Sequence, residues 1–259
     1  MIPARPSLAL LSDLHVDADL SWERFGGEPA RQLGKVVAAV VAARVDAVVV
    51  AGDCASRVGE EGDYARLEEI LAPLAEAGIP VLAVPGNHDD RERMQERFPQ
   101  RRLETGTVTW VLVDTSRDGH EVSGEFREVE RTWAESQLGM GPVILVGHHH
   151  PEDSVRDDVE AGIGLGDTAA FMAWLDACPR IMAYVHGHSH AFRLGRTAGG
   201  KLLVNLPSTA FSFRPEQPLG WVHAVVGEQS VVCHLHGLDA WQAGNGRRWE
   251  IPLEKRTGQ

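Results

Sequence analysis

Leu8-Ala9-Leu10-Leu11-Ser12-Asp13-Leu14-His15 is an apolar run that ends on polar side chains able to ligate or titrate. The same pattern returns four times. Ala47–Ala51 precedes Gly52-Asp53, and Val81–Val84 precedes Gly86-Asn87-His88-Asp89. Val143–Val146 precedes Gly147-His148-His149-His150, and Ile181–Val185 precedes Gly187-His188-Ser189-His190. Short apolar runs bounded by turn residues read as buried strands. Strands that stop at one sheet edge bring all five clusters to one cleft.

The donors gathered there are carboxylate and amide oxygens and imidazoles, with no thiolate. That mixture suits two hard-to-borderline divalent cations such as Mn, Fe(II), Co or Zn. Two close metals clamp the attacking and leaving oxygens of an in-line displacement at phosphorus. They also acidify water, so hydroxide exists near neutral pH. Asp or Asn beside Gly is most often a plain turn residue, and a lone histidine at a strand end is more often solvated than a ligand. Seven such residues in register argue against that reading for the set. His120, His186, His223, His234 and His236 lack the pattern and read as structural or exposed.

The ordered set resembles the calcineurin-like metallophosphoesterases, whose pattern is D-x-H, G-D, G-N-H-D/E, H, then G-H-x-H. Every element is present between Asp13 and His190, and five in order is a specific signal. The resemblance implies a dinuclear-metal phosphodiesterase in which a metal-bridging hydroxide attacks the diester. It implies that Asp13, His15 and His190 bind one metal. Asn87, a histidine of the 148–150 run and His188 bind the other, and Asp53 bridges both. His148 is favoured within its run as the first residue off the strand, with His149 as the rival. His88 becomes the catalytic histidine beside the substrate, with Asn87 also near the phosphate, and Asp89 is a candidate to orient His88.

Composition fits a cytoplasmic enzyme of small molecules. At 259 residues and 43% hydrophobic content, one large domain with a substantial core is expected. It would have a catalytic core over about residues 7–237 and a polar, loosely packed tail after that. The net charge of −12 argues against nonspecific nucleic-acid binding, which needs a basic patch. Cys54, Cys178 and Cys233 form no pairing motif, which favours a reducing compartment. No apolar run approaches the ~18 residues of a membrane span.

Helical periodicity marks Glu28–Ala43, Tyr64–Ala77 with a kink at Pro73, Arg91–Phe98, Glu128–Leu138 and Thr168–Ala177. Alternation with the strands implies largely parallel sheets. After His190 the texture turns to strands: Ala191–Arg196, Lys201–Asn205, Trp221–Val226 and Gln229–Leu235, the last two joined by a hairpin at Gly227-Glu228. The expected fold is α/β, a four-layer αββα sandwich of two mixed sheets flanked by helices.

Pro207-Ser208-Thr209-Ala210-Phe211-Ser212-Phe213-Arg214-Pro215 resembles the P-S-T-x-F-x-F-x-P stretch of bacterial class III cyclic-nucleotide phosphodiesterases. Glu130, Trp133 and Leu138 resemble a worn E-x-x-W-L helix of the same branch. Cys54 after Gly-Asp, where Leu is frequent, and Ala134 after Trp133 depart from it. The branch implies a nucleotide substrate, a 3′,5′-cyclic nucleotide such as cyclic AMP. The alternatives are a broader phosphodiesterase or phosphomonoesterase acting on nucleotides or glycerophosphodiesters, and a non-catalytic metal-binding scaffold, against which His88 and Asp53 both stand. Phe211 and Phe213 are candidates to line the base site. The competing reading makes both of them core residues.

Overall fold

Aliphatic and β-branched runs of four or five residues form strands whose two faces are both buried. The computed structural model describes residues 5–151, 162–239, 242 and 244–253. β1 (Ser7–Leu11), β2 (Ala47–Ala51) and β3 (Val81–Val84) run parallel, with Leu8 opposite Ala47 and Val48 opposite Val81. β4 (Arg102–Thr105), β5 (Val108–Leu112), β6 (Val143–Val146), β7 (Ile181–His186), β8 (Arg193–Arg196) and β9 (Leu202–Asn205) form a second sheet in the order β4-β5-β6-β7-β9-β8. Its four central strands are parallel and its two edges antiparallel. β10 (Gly220–Val226), β11 (Ser230–Gly237) and β12 (Arg248–Pro252) return to the first sheet, which reads β12-β11-β10-β1-β2-β3.

Alternate side chains of each strand serve different cores, as the two-residue period of a strand requires. Leu8, Leu10, Val49 and Val84 of the first sheet meet Trp110, Ile144, Val185 and Val204 of the second. Ala9, Leu11, Val48 and Val50 turn outward onto Leu33, Val36, Val37 and Val40 of α1 (Pro29–Ala43) and Leu67, Leu71 and Leu74 of α2 (Glu61–Glu76). Val111, Leu145 and Tyr184 face Ala134 of α4 (Glu128–Gln137) and Phe171 and Leu175 of α5 (Thr168–Ala177). The short α3 (Arg91–Arg97) starts where the Asp90 side chain accepts from the Arg93 N–H over 2.9 Å. The result is the expected four-layer αββα sandwich. No helix among the described residues is long and apolar enough to cross a membrane.

Three local expectations change, and one strand is additional. α2 starts a turn earlier than its apolar stripe, because Glu60 and Asp63 form a reciprocal capping box, and it continues through Pro73 to Glu76. The β10–β11 reversal falls on Glu228-Gln229, one residue later than expected, where the Gly227 N–H donates to the Ser230 carbonyl over 2.9 Å. β4 carries a single aliphatic residue, Leu103, and so gives no apolar run to read. The segment after Leu238 is not loosely packed throughout: β12 pairs with β11 and buries Trp249 and Ile251 in the inter-sheet core. Residues 240, 241, 243 and 254–259 of that expected tail lie outside the described residues.

Trp249 packs its ring 5.1 Å from that of Phe192. Trp249→Ala should therefore lower unfolding free energy by about 3 kcal/mol, within the range for buried aromatic truncation. Urea denaturation measures it, and a loss under about 0.5 kcal/mol, typical of surface sites, would return β12 to the status of a loose tail.

Candidate metal centre

β1, β2, β3, β6 and β7 all end at the same edge of the sandwich, and the loops that follow them are stitched together by backbone hydrogen bonds. The amides of Leu14 and His15 donate to the Asp53 carbonyl over 2.8 and 2.9 Å. Gly187 N–H donates to the His148 carbonyl over 3.0 Å, and His188 N–H to the Asp13 carboxylate over 3.1 Å. Asp13, His15, Asp53, Asn87, His148, His188 and His190 are all buried there. Five of them, Asp13, His15, Asp53, His188 and His190, hold φ between 46° and 74°. Non-glycine residues rarely adopt that region, and strain of this kind clusters at functional sites.

Two groups of donors form. The first contains Asp13, His15, Asp53 and His190, and the second His148, His149 and His188, with ligand atoms within 4.8 Å of one another in each. In the first, His15 Nε2 and His190 Nε2 are 3.1 Å apart. In the second, His148 Nε2 lies 3.1 Å from His188 Nδ1 and 3.3 Å from Asn87 Oδ1. Asp53 Oδ2 joins the groups: it is 3.5 Å from His15 Nε2 and 3.3 Å from His148 Nε2. Nitrogens held ~2.0–2.1 Å from one ion stand ~3 Å apart when they meet it near a right angle, so these separations fit divalent cations.

The outer nitrogens of three of the histidines are also accounted for, while the buried Nδ1 of His15 has no hydrogen-bond partner. His148 Nδ1 donates to the Ala51 carbonyl over 2.8 Å, His190 Nδ1 to the Phe211 carbonyl over 2.7 Å, and His188 Nε2 to the Ile163 carbonyl over 2.9 Å. A carbonyl can only accept, so in the neutral ring each bond fixes the tautomer and leaves the lone pair on the inward nitrogen. His149 differs. Its Nδ1 meets Thr115 Oγ1 at 2.9 Å, and its buried Nε2 has no hydrogen-bond partner.

Electrostatics follow from this crowding. Burial alone would raise the Asp53 carboxyl, but the His148 and His88 imidazoles outweigh it and hold the group well below the usual carboxylate range. Burial pushes His15 and His188 well below the ordinary imidazole value, which favours the neutral, ligating form. His148 is also penalised by burial, yet the adjacent Asp53 carboxylate lifts it to about 9.

His88 is half-buried at the rim. Its N–H donates to Asp53 Oδ1 over 3.0 Å, its ring edges onto His15 at 5.0 Å, and its Nδ1 donates to the Arg57 carbonyl over 2.8 Å. Asp89 was expected to orient His88 and does not: its carboxylate makes no hydrogen bond to that ring. It accepts from the amides of Cys54, Ala55 and Gly86 over 3.0, 2.9 and 2.9 Å, and from the Tyr64 hydroxyl over 3.3 Å. Asp89 thus ties the Asp53 loop to the Asn87 loop, and burial lifts its carboxyl to about 6.

Phe211 and Phe213 split. Phe211 is 2% exposed and covers the donors: its ring lies 4.9 Å from that of His15 and 4.5 Å from that of His190. A ring so enclosed is not available to a base, which corrects its reading as a substrate contact. Phe213 is 44% exposed and stands 4.7 Å from the His190 ring. The sequence marks the Asp114-Thr115-Ser116 run after a strand but gives Thr115 no role of its own, and it does not show the carbonyls of Ala51, Arg57 and Ile163. Backbone acceptors carry no side-chain signal.

The layered fold, the strand-end donors and their sharing of one carboxylate oxygen define a class: the chain belongs to the calcineurin-like phosphoesterase family, whose model matches residues 6–192. It is a metal-dependent phosphoester hydrolase. Among curated proteins it is 30% identical over 218 residues to the 3′,5′-cyclic adenosine monophosphate phosphodiesterase CpdA of Pseudomonas aeruginosa, covering 80% of this chain and 78% of that one. It is 25% identical to a probable cyclic nucleotide phosphodiesterase of Vesicomyosocius okutanii, covering 83% and 91%. Among solved structures it superposes on a dimetal phosphatase from Danio rerio with a TM-score of 0.74 at 15% identity, covering 97% and 100%. That last likeness speaks for the fold.

Gly86 shows how tightly the centre is closed. A Cβ there would lie 2.1 Å from Asp53 Oδ1. Gly86→Ala should keep the far-ultraviolet circular dichroism of the fold and weaken Mn uptake by about tenfold or more. Unchanged Mn affinity by titration calorimetry would show that the Asp53 carboxylate has room to move.

Proposed function

We infer that the chain hydrolyses a small phosphodiester, a 3′,5′-cyclic nucleotide such as cyclic AMP, at a dinuclear centre. The observation that carries this reading is the position of Asp53 Oδ2 between His15 Nε2 and His148 Nε2, at 3.5 and 3.3 Å. Asp13, His15 and His190 would hold one divalent ion, Asn87, His148 and His188 would hold the other, and Asp53 would serve both. His148 is preferred to His149 because its Nε2 faces Asp53, Asn87 and His188 together. Ions of the Mn, Fe, Co or Zn type supply Lewis acidity there, acidifying water and neutralising phosphoryl charge.

The chain's own groups do the rest. Asn87 contributes a neutral oxygen, so the centre stays attractive to an anion. The Arg57 carbonyl holds the proton of His88 on Nδ1, which turns Nε2 toward the substrate side. In its protonated form His88 hands a proton from Nε2 to the leaving 3′ oxygen as the P–O3′ bond breaks, giving a 5′-phosphate. Support for the cyclic substrate comes from relatives named as cyclic-nucleotide phosphodiesterases, among them those of Pseudomonas aeruginosa and Vesicomyosocius okutanii.

Hydrolysis of 3′,5′-cyclic AMP, 2′,3′-cyclic AMP, a glycerophosphodiester, bis-p-nitrophenyl phosphate and p-nitrophenyl phosphate after Mn reconstitution tests the reading. The largest kcat/KM is expected for 3′,5′-cyclic AMP, and preference for the monoester would overturn it. Asp53→Asn should bind fewer than two metal equivalents and lose most activity, while Asp13→Ala should mainly lose one ion. Two full equivalents in Asp53→Asn after gel filtration would end the bridging assignment.

His88→Ala should keep its metal and lose about 10²–10⁴ in kcat, the range of a general acid–base group. Collapse of metal content in that variant would make His88 a ligand instead. His148→Ala should lose more metal than His149→Ala, and the reverse order would exchange their roles.

A further inference from the structure

Arg24-Phe25-Gly26-Gly27 forms a tight hairpin beside the metal centre, and the chemistry above gives it no task. Arg24 N–H donates to the Gly27 carbonyl over 3.0 Å, and Gly27 N–H returns to the Arg24 carbonyl over 2.8 Å. Phe25 and Gly26 are the two central residues, with φ of 49° and 76°. Two positive φ values make a type I′ turn, whose first central position favours Asn, Asp or Gly. A bulky aromatic residue there is a genuine outlier. Burial does not offset the strain, because Phe25 is 61% exposed.

The ring is nevertheless held in a defined place. Phe25 stands edge-on to Phe213 with centroids 5.2 Å apart and planes at 80°, and 5.5 Å from Phe211. The hairpin is pressed onto the chain before Phe211: a Cβ at Gly27 would lie 2.3 Å from the Ala210 carbonyl. Aromatic surface therefore extends outward from the donors, from His190 to Phe213 at 4.7 Å and on to Phe25. The Arg24 guanidinium lies 5.3 Å from the Phe25 ring centroid and 5.6 Å from that of Phe211. It makes no ion pair among the described residues, and so sets a positive charge beside an anion site in a chain of net charge −12.

We propose that Phe25 and Phe213 form an aromatic notch that stacks the base of the nucleotide whose phosphate occupies the metal centre, with Arg24 beside it. A nucleotide fits because it carries a phosphate and, one sugar away, a flat π face. The inference rests on the nucleotide reading of the site and adds its specificity element. It also explains the strained turn: Asn at position 25 would relax the backbone and could not stack.

Titration calorimetry of the Mn-loaded protein with 5′-AMP and with ribose 5-phosphate tests this without diester turnover, since ribose 5-phosphate keeps the phosphate and sugar and carries a hydroxyl in place of the base. The wild type should bind 5′-AMP at least about tenfold more tightly, as expected for base–aromatic stacking. Phe25→Asn and Phe213→Leu should each weaken 5′-AMP severalfold to tenfold and leave ribose 5-phosphate within about twofold. Phe25→Tyr should restore 5′-AMP binding. Phe25→Asn should also raise the melting temperature, because Asn-Gly is a favoured type I′ pair, whereas a merely structural Phe25 would lower it.

A wild type with no preference for 5′-AMP, equal losses on both ligands, or a destabilised Phe25→Asn that keeps its preference would each overturn the notch. Preference for 5′-AMP in a protein that hydrolyses no cyclic nucleotide would sink the activity and leave the notch standing.

Discussion

One carboxylate oxygen organises this molecule. Asp53 Oδ2 faces an imidazole nitrogen of each donor group, at 3.5 and 3.3 Å. A buried anion in that position is tolerated only when its neighbours compensate it, and the surrounding construction supplies them. Gly86 clears the space for the other oxygen, which accepts the His88 N–H. Asp89 fastens the two loops that carry Asp53 and Asn87. Carbonyls of Ala51 and Phe211 turn the histidines inward.

That construction is strained locally. Left-handed Asp13, His15, Asp53, His188 and His190 cost of order 1–3 kcal/mol each. They persist because each follows or borders a strand packed on both faces, between two hydrophobic cores, and because their amides and carbonyls cross-link the loops. The chain concentrates its unfavourable conformations where ligand geometry requires them and keeps its strands regular elsewhere.

The sequence made the centre legible because its donors are side chains of unusual type placed after apolar runs. Asp13, Asn87 and His190 are conspicuous in that setting, and the layers follow from strand–helix alternation. What stayed hidden is what depends on three-dimensional closeness. Asp89 looks like a partner of its neighbour His88, yet a one-residue step in the loop turns it toward the Cys54 and Ala55 amides. Phe211 and Phe213 look equivalent under alternation, but no strand runs through them, so one is covered and the other open. Phe25 carries no apolar period and reads as part of a loop; only the fold brings it to the site. β12 was missed because Trp249 and Ile251 are two apolar residues amid polar ones.

The donors do not belong to one sheet. Asp13, His15, Asp53 and Asn87 follow strands of the first, and His148, His188 and His190 follow strands of the second. A ligand gripped by both groups is therefore a rivet across the open edge of the sandwich. Whatever binds the folded chain and not the unfolded one adds RT ln(1 + [L]/Kd), about 2.7 kcal/mol at a hundredfold excess over Kd. For a protein of ordinary marginal stability that is a sizeable fraction of the whole. Its persistence in the cell is then coupled to metal supply, so starvation for the ion would thin the population of molecules as well as silence them.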